Sequence, residues 1–442
     1  MATRKLTALV AAGAIALAGA LTACGGGSSG GSEGSLQGTT IKYWASNQGT
    51  SLQNDKDVLT PELQKFEKQT GVHVDLEVIG WNDLYNRILT ATTSGQGPDV
   101  LNIGNTWASS LQATGAFLPF DSSTFNDIGG KDRFLQTSLA TGGVPGQDPT
   151  SVPLYGLAYG LYYNKAMFSA AGLQPPTNWQ ELTSDAQKLT DPSKGVYGLS
   201  LAAGSYTENA HFAFIFGKQN GGELFNGTKP SFDSDGVVAG VQQYLDLMQT
   251  QKAVNTSDAQ YNNGVQSVTA FANGKAAMIM NQNNADATLA SQGMTKDQYG
   301  VVAIPAPDPL PSGGKDIASH VAGINLSIFK DSKHLAAAKA FVKFMTSTDE
   351  QQILDKQFAA LPVVQGAQLT FTDDAAEAKT FQDVLANKAA PLPLVSNEGD
   401  METVVGQAMN QLFAQIATGK PVSESDIKSA LSAAQSKLPS AG

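Results

Sequence analysis

The chain has 442 residues, 41% of them hydrophobic and 15% charged, and 39 acidic against 28 basic residues leave a formal net charge of −11. That balance argues against nucleic acid or an anionic lipid surface as partner, since both would repel it. A single cysteine excludes an internal disulfide.

Arg4 and Lys5 precede an Ala/Leu-rich apolar run over residues 6–21, the layout of a secretory signal and too short for a permanent span. The run stops at Leu21-Thr22-Ala23-Cys24, which resembles a bacterial lipobox: small residues admit a peptidase, and the thiol accepts a thioether-linked lipid. Residues 1–23 are therefore expected to be a signal peptide and Cys24 the lipidation site, with cleavage without lipidation as the alternative. A diacylglyceryl cysteine carries two chains, enough for a stable anchor. Residues 24–38, almost all Gly and Ser after the cysteine, read as a flexible tether. Nothing beyond Leu21 is long and apolar enough to span a bilayer.

Ile41-Lys42-Tyr43-Trp44 predicts a strand, followed by a polar turn over residues 45–50. Thr60-Pro61-Glu62 then supplies helix-start chemistry, and Leu59, Leu63 and Phe66 share one helix face. Past Gly71 the period changes: Val72, Val74, Leu76 and Val78 alternate with His73, Asp75 and Glu77, which predicts a strand. Asn82 can cap a further helix carrying Leu84, Ile88 and Leu89, and a third strand follows over residues 98–103. This order predicts an α/β layered fold. Ligands of open α/β sheets sit beyond the carboxyl ends of the strands, which directs attention to residues 44–48, 80–81 and 104–107. A second unit follows Pro153, with helices expected over residues 179–189, 207–216 and 236–248.

Several segments, in order along nearly the whole mature chain, resemble the family 1 extracellular solute-binding proteins, the maltose-binding-protein-like sugar receptors of ABC importers. They include Phe66-Glu67-Lys68-Gln69-Thr70-Gly71-Val72, Gly97-Pro98-Asp99-Val100 entering Gly104-Asn105-Thr106-Trp107, and Gly115-Ala116-Phe117-Leu118-Pro119-Phe120-Asp121. Tyr162-Tyr163-Asn164-Lys165, Phe271-Ala272-Asn273-Gly274-Lys275 and Gly323-Ile324-Asn325-Leu326-Ser327-Ile328 continue the series. The resemblance implies an α/β, two-lobed, type II periplasmic-binding-protein-like fold with the ligand cleft between lobes. It implies an N-terminal lobe of residues 39–153 plus 323–362 and a C-terminal lobe of 154–322 plus 363–442. The chain would cross between them near residues 152–159, 320–325 and 359–366.

A sugar presents apolar C–H faces and a rim of hydroxyls, so its site needs aromatic plates and side chains that donate and accept. In the first lobe the candidates are Trp44, Asn47, Gln48, Trp81, Asn82, Asn105 and Trp107, although a tryptophan beside a strand fills a core as readily as it meets a ligand. In the second they are Tyr155, Tyr159, Tyr206, Glu208, His211, Asn281 and Asn283. His320, at the second crossover, could touch ligand or brace the hinge, and Asp99 reads as a turn brace. Asn281-Gln282-Asn283-Asn284 departs from the Gly, Pro and Trp more common in the family there.

These segments hold almost no Lys or Arg, so no bidentate clamp for phosphate or carboxylate is offered and a neutral mono- or oligosaccharide fits best. The expectation is a monomeric receptor without cofactor, tethered at the extracytoplasmic face of the cell membrane and delivering its ligand to ABC permease subunits. Peptide or polyamine binding on the same frame is the alternative. A secreted glycan-active enzyme would need two carboxylates flanking one bond, and no local pattern singles out such a pair. The scattered His73, His211, His320 and His334 speak against a metal receptor.

Overall fold

The computed structural model describes residues 36–438, so the signal segment, Cys24 and residues 25–35 lie outside the described residues. The last three residues expected in the tether belong to the folded body: Leu36 packs on the first core, and the Gly38 N–H donates to the Gly71 carbonyl at 2.8 Å. Its strands are β1 (Thr40–Ser46), β2 (His73–Ile79), β3 (Val100–Gly104), β4 (Ser151–Leu157), β5 (Tyr159–Asn164), β6 (Tyr197–Ser200) and the short pair β7 (Phe225–Asn226) and β8 (Lys229–Pro230). They continue with β9 (Ala276–Gln282), β10 (Tyr299–Val302), β11 (Ser319–His320), β12 (Ala322–Ile328) and β13 (Ala389–Ala390).

Two sheets organise the molecule. The first runs β2-β1-β3-β12-β4, with β1 parallel to β2 and β3, and with β12 antiparallel to β3 and β4. The second runs β10-β5-β9-β6, with only β6 and β9 parallel. The late strand β12 thus returns into the sheet built by the chain's beginning. This is the expected two-lobed, type II arrangement.

Local chemistry explains the elements. The helix Leu52–Thr70 is capped by Ser51, whose side chain accepts from the Asn54 N–H, and it ends at Gly71, in the left-handed region at φ 73°. It starts earlier than Thr60-Pro61 predicts: Pro61 lies inside the helix, and the Ser51 cap sets the first turn. The next helix, Trp81–Ser94, begins after Gly80, so Asn82 is an exposed residue of its first turn rather than its cap. Leu59, Leu63 and Phe66 are buried as one face, and Phe66 meets Phe341 at 5.3 Å.

The first sheet is covered on both faces, which is why every residue of β3 is buried. Tyr43, Phe66 and Phe341 belong to one layer, while Leu84, Ile88, Leu101 and Trp107 form the other. The second core gathers Tyr159, Tyr162, Phe212, Phe216, Tyr244 and Met278 with the helix Glu398–Ala417. That helix lies against the helix Tyr206–Gln219 so closely that a Cβ at Gly406 would fall 1.9 Å from the Tyr206 carbonyl oxygen.

The chain leaves the first sheet at Ala158, between β4 and β5, and returns to it at Val321, between β11 and β12. Strand β4 runs through residues 153 and 154 and stays in the first sheet to Leu157. At a third passage Ala359 ends the helix Thr348–Phe358 at φ 50°. Asn283 ties the first and third passages together: its Oδ1 accepts from Ala158 N–H at 2.7 Å, and its amide donates to the Ala359 carbonyl at 2.5 Å.

Candidate functional site

Strand ends from both lobes converge on one cavity. Past β1, the Asp55 carboxylate accepts from the Gln48 N–H at 2.8 Å, the Gly49 N–H at 3.0 Å and the Asn47 side-chain amide at 2.5 Å. A buried carboxylate on the following helix therefore holds the loop in shape, and burial pushes Asp55 up to about 6. Trp81 donates its indole N–H to the Asn47 carbonyl at 2.7 Å and meets Trp107 edge-on at 5.4 Å. Past β3, Asn105 reaches the second passage and donates to the Val321 carbonyl at 2.9 Å.

The opposite wall comes from the helix Tyr206–Gln219, the end of β9 and β11. Ser205 caps that helix, accepting from the Glu208 N–H, and so points its first turn at the cleft. Glu208 accepts from the Tyr159 hydroxyl at 2.6 Å, and that hydroxyl lies 2.9 Å from His211 Nδ1. His211 Nε2 lies 3.2 Å from Glu402 Oε1, and the other oxygen of Glu402 accepts from the Trp107 indole at 2.6 Å. The His320 ring lies against that of His211, centroids 4.1 Å apart and planes tilted by 38°. Burial, then the neighbouring His211, pushes His320 well below the ordinary imidazole range, so it stays neutral. Burial raises the Glu208 carboxyl, opposed by His211 and by the Tyr159 hydrogen bond.

The cavity between these walls encloses about 130 Å³. Of the predicted residues, Asn47, Gln48, Trp81, Asn105, Trp107, Glu208, His211, Asn281 and His320 line it. No lysine or arginine does. The other six do not line it. Trp44 is buried in the first lobe with the Arg87 guanidinium 4.4 Å over its ring. Asn82 points to solvent, and Tyr155 packs on Phe358 at 5.5 Å. Tyr159 stands behind the wall, fully buried, where it orients Glu208 and His211. Tyr206 is half-buried at the helix start, and Asn283 ties Ala158 to Ala359 behind the cavity. Asp99 accepts from the Lys42 N–H at 2.8 Å and braces a turn away from the cavity.

Sequence reasoning passed over Thr207, Asn262, Asn263 and Thr288, which also line the cavity, and Glu402, which reaches its Trp107 wall. Asn263 had a readable signal, because it caps the helix Gly264–Ala272. Glu402 had none: it sits within a regular helix and gains its role only from the partners the fold delivers. Among the described residues no group of three or more His, Cys, Asp or Glu is placed to hold a metal ion, and no helix is long and apolar enough to cross a membrane.

The chain is similar to a putative binding protein of Brucella abortus, 25% identical over 81% of this chain and 85% of the relative. It is likewise 26% identical to the diacetylchitobiose binding protein DasA of Streptomyces coelicolor, over 84% of this chain and 85% of that one. Among solved structures it resembles an ABC transporter solute-binding protein from Thermotoga lettingae bound with α-D-tagatose. That likeness has a TM-score of 0.76 and 20% identity, covering 90% of this chain and 99% of the other. The profile of the bacterial extracellular solute-binding proteins matches residues 49–352. By that match, and by the two-lobed architecture and shared cleft, the chain belongs to the bacterial extracellular solute-binding protein family.

Proposed function

We propose that this chain is the capture subunit of a carbohydrate ABC importer, binding a neutral sugar or oligosaccharide and handing it unchanged to the permease. The observation that carries this reading is the lining itself. Amides from Asn47, Gln48, Asn105 and Asn281 and the Glu208 carboxylate surround a cavity with Trp81 and Trp107 on one side and no cationic side chain. Groups that donate and accept beside aromatic rings suit a polyhydroxylated ligand with apolar C–H faces. Relatives whose names record diacetylchitobiose or tagatose support it.

The lobes close about the three passages, the first of them at Ala158 rather than after residue 153. Ligand favours the closed form by its differential affinity for closed over open. Cys24 carries the lipid, and the Gly/Ser-rich residues that follow it, up to the folded body at Leu36, let a monomeric body range above the membrane. Titrating maltose, diacetylchitobiose and mannitol while following tryptophan emission tests the reading, and a response abolished by Trp107→Ala supports it. A polyamine is the second reading, favoured by Glu208 alone, and a single carboxylate falls short of the several such a ligand needs.

A further inference from the structure

The polar groups of the lining divide into those the protein itself satisfies and those it does not. The Trp81 and Trp107 indoles spend their only N–H on the Asn47 carbonyl and on Glu402, so they offer the cavity rings alone. Both ring nitrogens of His211 are taken, by Tyr159 and by Glu402. The Asn47 amide donates to Asp55 and to the Gly49 carbonyl. These groups hold the site in shape.

Among the described residues, three that line the cavity carry a buried side-chain polar atom without a hydrogen-bond partner: Gln48 at Nε2, Thr207 at Oγ1 and His320 at Nδ1. Thr207 is half-buried, and its hydroxyl can rotate to suit. Gln48 and His320 are only 4% and 1% exposed. Gln48 stands past β1 with its backbone N–H held by Asp55, while His320 lies on the opposite wall against the rings of His211 and Tyr159. A buried polar group without a partner costs more than an ordinary hydrogen bond returns. Two of them facing one cavity mark the places where a ligand supplies the partner.

We propose that Gln48 and His320 are the specificity-determining pair of the cleft, one from each wall, and that each completes its hydrogen bonding on a hydroxyl of the bound ligand. This rests on the receptor reading above and deepens it. The chemistry of the two atoms selects the partner. An amide nitrogen only donates, and a nitrogen of a neutral imidazole donates or accepts, so a hydroxyl, which does both, suits each. An ammonium group has no acceptor for Gln48, and a carboxylate or phosphate would want a cation, of which the lining has none. A site with buried groups that await hydroxyls rejects an analogue lacking one far more strongly than an apolar wall rejects a missing methylene. The same unpaired groups weaken the ligand-free protein, so function and stability oppose each other at these two positions.

Titration calorimetry and ligand-free thermal melting of the chain from Leu36 onward, which forms one compact unit, test the pair together. The probe is whichever of maltose, diacetylchitobiose or mannitol binds. Gln48→Met keeps the length of the side chain and removes its polar end. It should weaken binding about 10- to 150-fold. It should also raise the ligand-free midpoint by about 1–3 °C, a gain that a residue holding the fold together would not give. His320→Leu should weaken binding likewise, and His320→Asn, whose amide restores a polar atom near the place of Nδ1, should recover most of the affinity. Among monodeoxy analogues of the probe, one should bind the unaltered chain and Gln48→Met equally weakly. Unchanged affinity in Gln48→Met or His320→Leu, a midpoint that does not rise in Gln48→Met, or no such analogue overturns the proposal. If none of the three probes binds, the carbohydrate reading fails by itself and the midpoint decides the pair. A rise in Gln48→Met then keeps it facing a different solute, and no rise overturns it.

Discussion

Trp107 and Glu402 stand 295 positions apart and belong to different lobes, yet the indole of the first donates to the carboxylate of the second over 2.6 Å. The contact joins a wall of the cavity to the helix Glu398–Ala417, whose first residues also meet the first lobe through Gly399 N–H and Ser110 Oγ at 2.8 Å. One residue therefore both lines the cavity and joins the two lobes.

Trp107→Phe keeps an aromatic plate and removes the donor. A hydrogen bond to a charged group contributes about 1.5–3 kcal/mol. The variant should bind sugar about 10- to 150-fold more weakly, with a much smaller change in unliganded melting, as titration calorimetry and thermal scans will read.

Asp55→Ala removes three hydrogen bonds that shape the loop of Asn47, Gln48 and Gly49. Affinity should fall by at least tenfold, and Asp55→Asn, whose amide oxygen can replace only some acceptors, should lie between. Equilibrium binding of the three proteins orders them.

Asn283→Ala leaves the Ala158 N–H and the Ala359 carbonyl without their side-chain partner. Leaving each of these two buried groups unpaired costs about 1–3 kcal/mol, so chemical denaturation should show a loss of about 2–6 kcal/mol. The hinge also loosens, and ligand-free scattering should report a more open average.

Lys296 lies between the carboxylates of Asp286 and Glu377, which have side-chain exposures of 5% and 3%. Lys296→Met removes the only cation of that group and should destabilise the protein by about 3–5 kcal/mol. Most of the loss should reappear as stability when pH is lowered and the carboxyls are protonated.

Burial pushes Asp258 up to about 6, while its ordinary value is 3.8. The folded form therefore holds the proton more tightly than the unfolded chain, and this group lowers stability progressively as pH rises from about 4 to about 6. Asp258→Asn can still accept from Ser200 and Leu201 and does not titrate. Its melting midpoint should exceed that of the unaltered chain by a few degrees at pH 7.5 and match it near pH 4.

Much of the frame was legible because it depends on local chemistry. Gly71 ends a helix and opens a strand whose alternation is visible by eye, and Asn178 and Ser205 cap helices close to where they were expected. Pro61 misled because proline favours a first turn, whereas tertiary packing carried the helix back to Ser51. The cavity was half legible, since strand ends can be located and polar residues beyond them named. Tyr155 and Trp44 failed to reach it because side-chain direction along a strand depends on register, which one residue reverses. Glu402 and the bracing role of Asn283 were invisible, as both depend on partners far away in the chain.

The most direct measurement is the melting midpoint of the chain from Leu36 onward against mono- and oligosaccharides, polyols, peptides and polyamines, because a ligand that binds the native state raises it. A saturable rise with one set of sugars or polyols, lost in Trp107→Ala, is the predicted result. A rise with peptides or polyamines alone would contradict the carbohydrate assignment and leave a receptor for another solute.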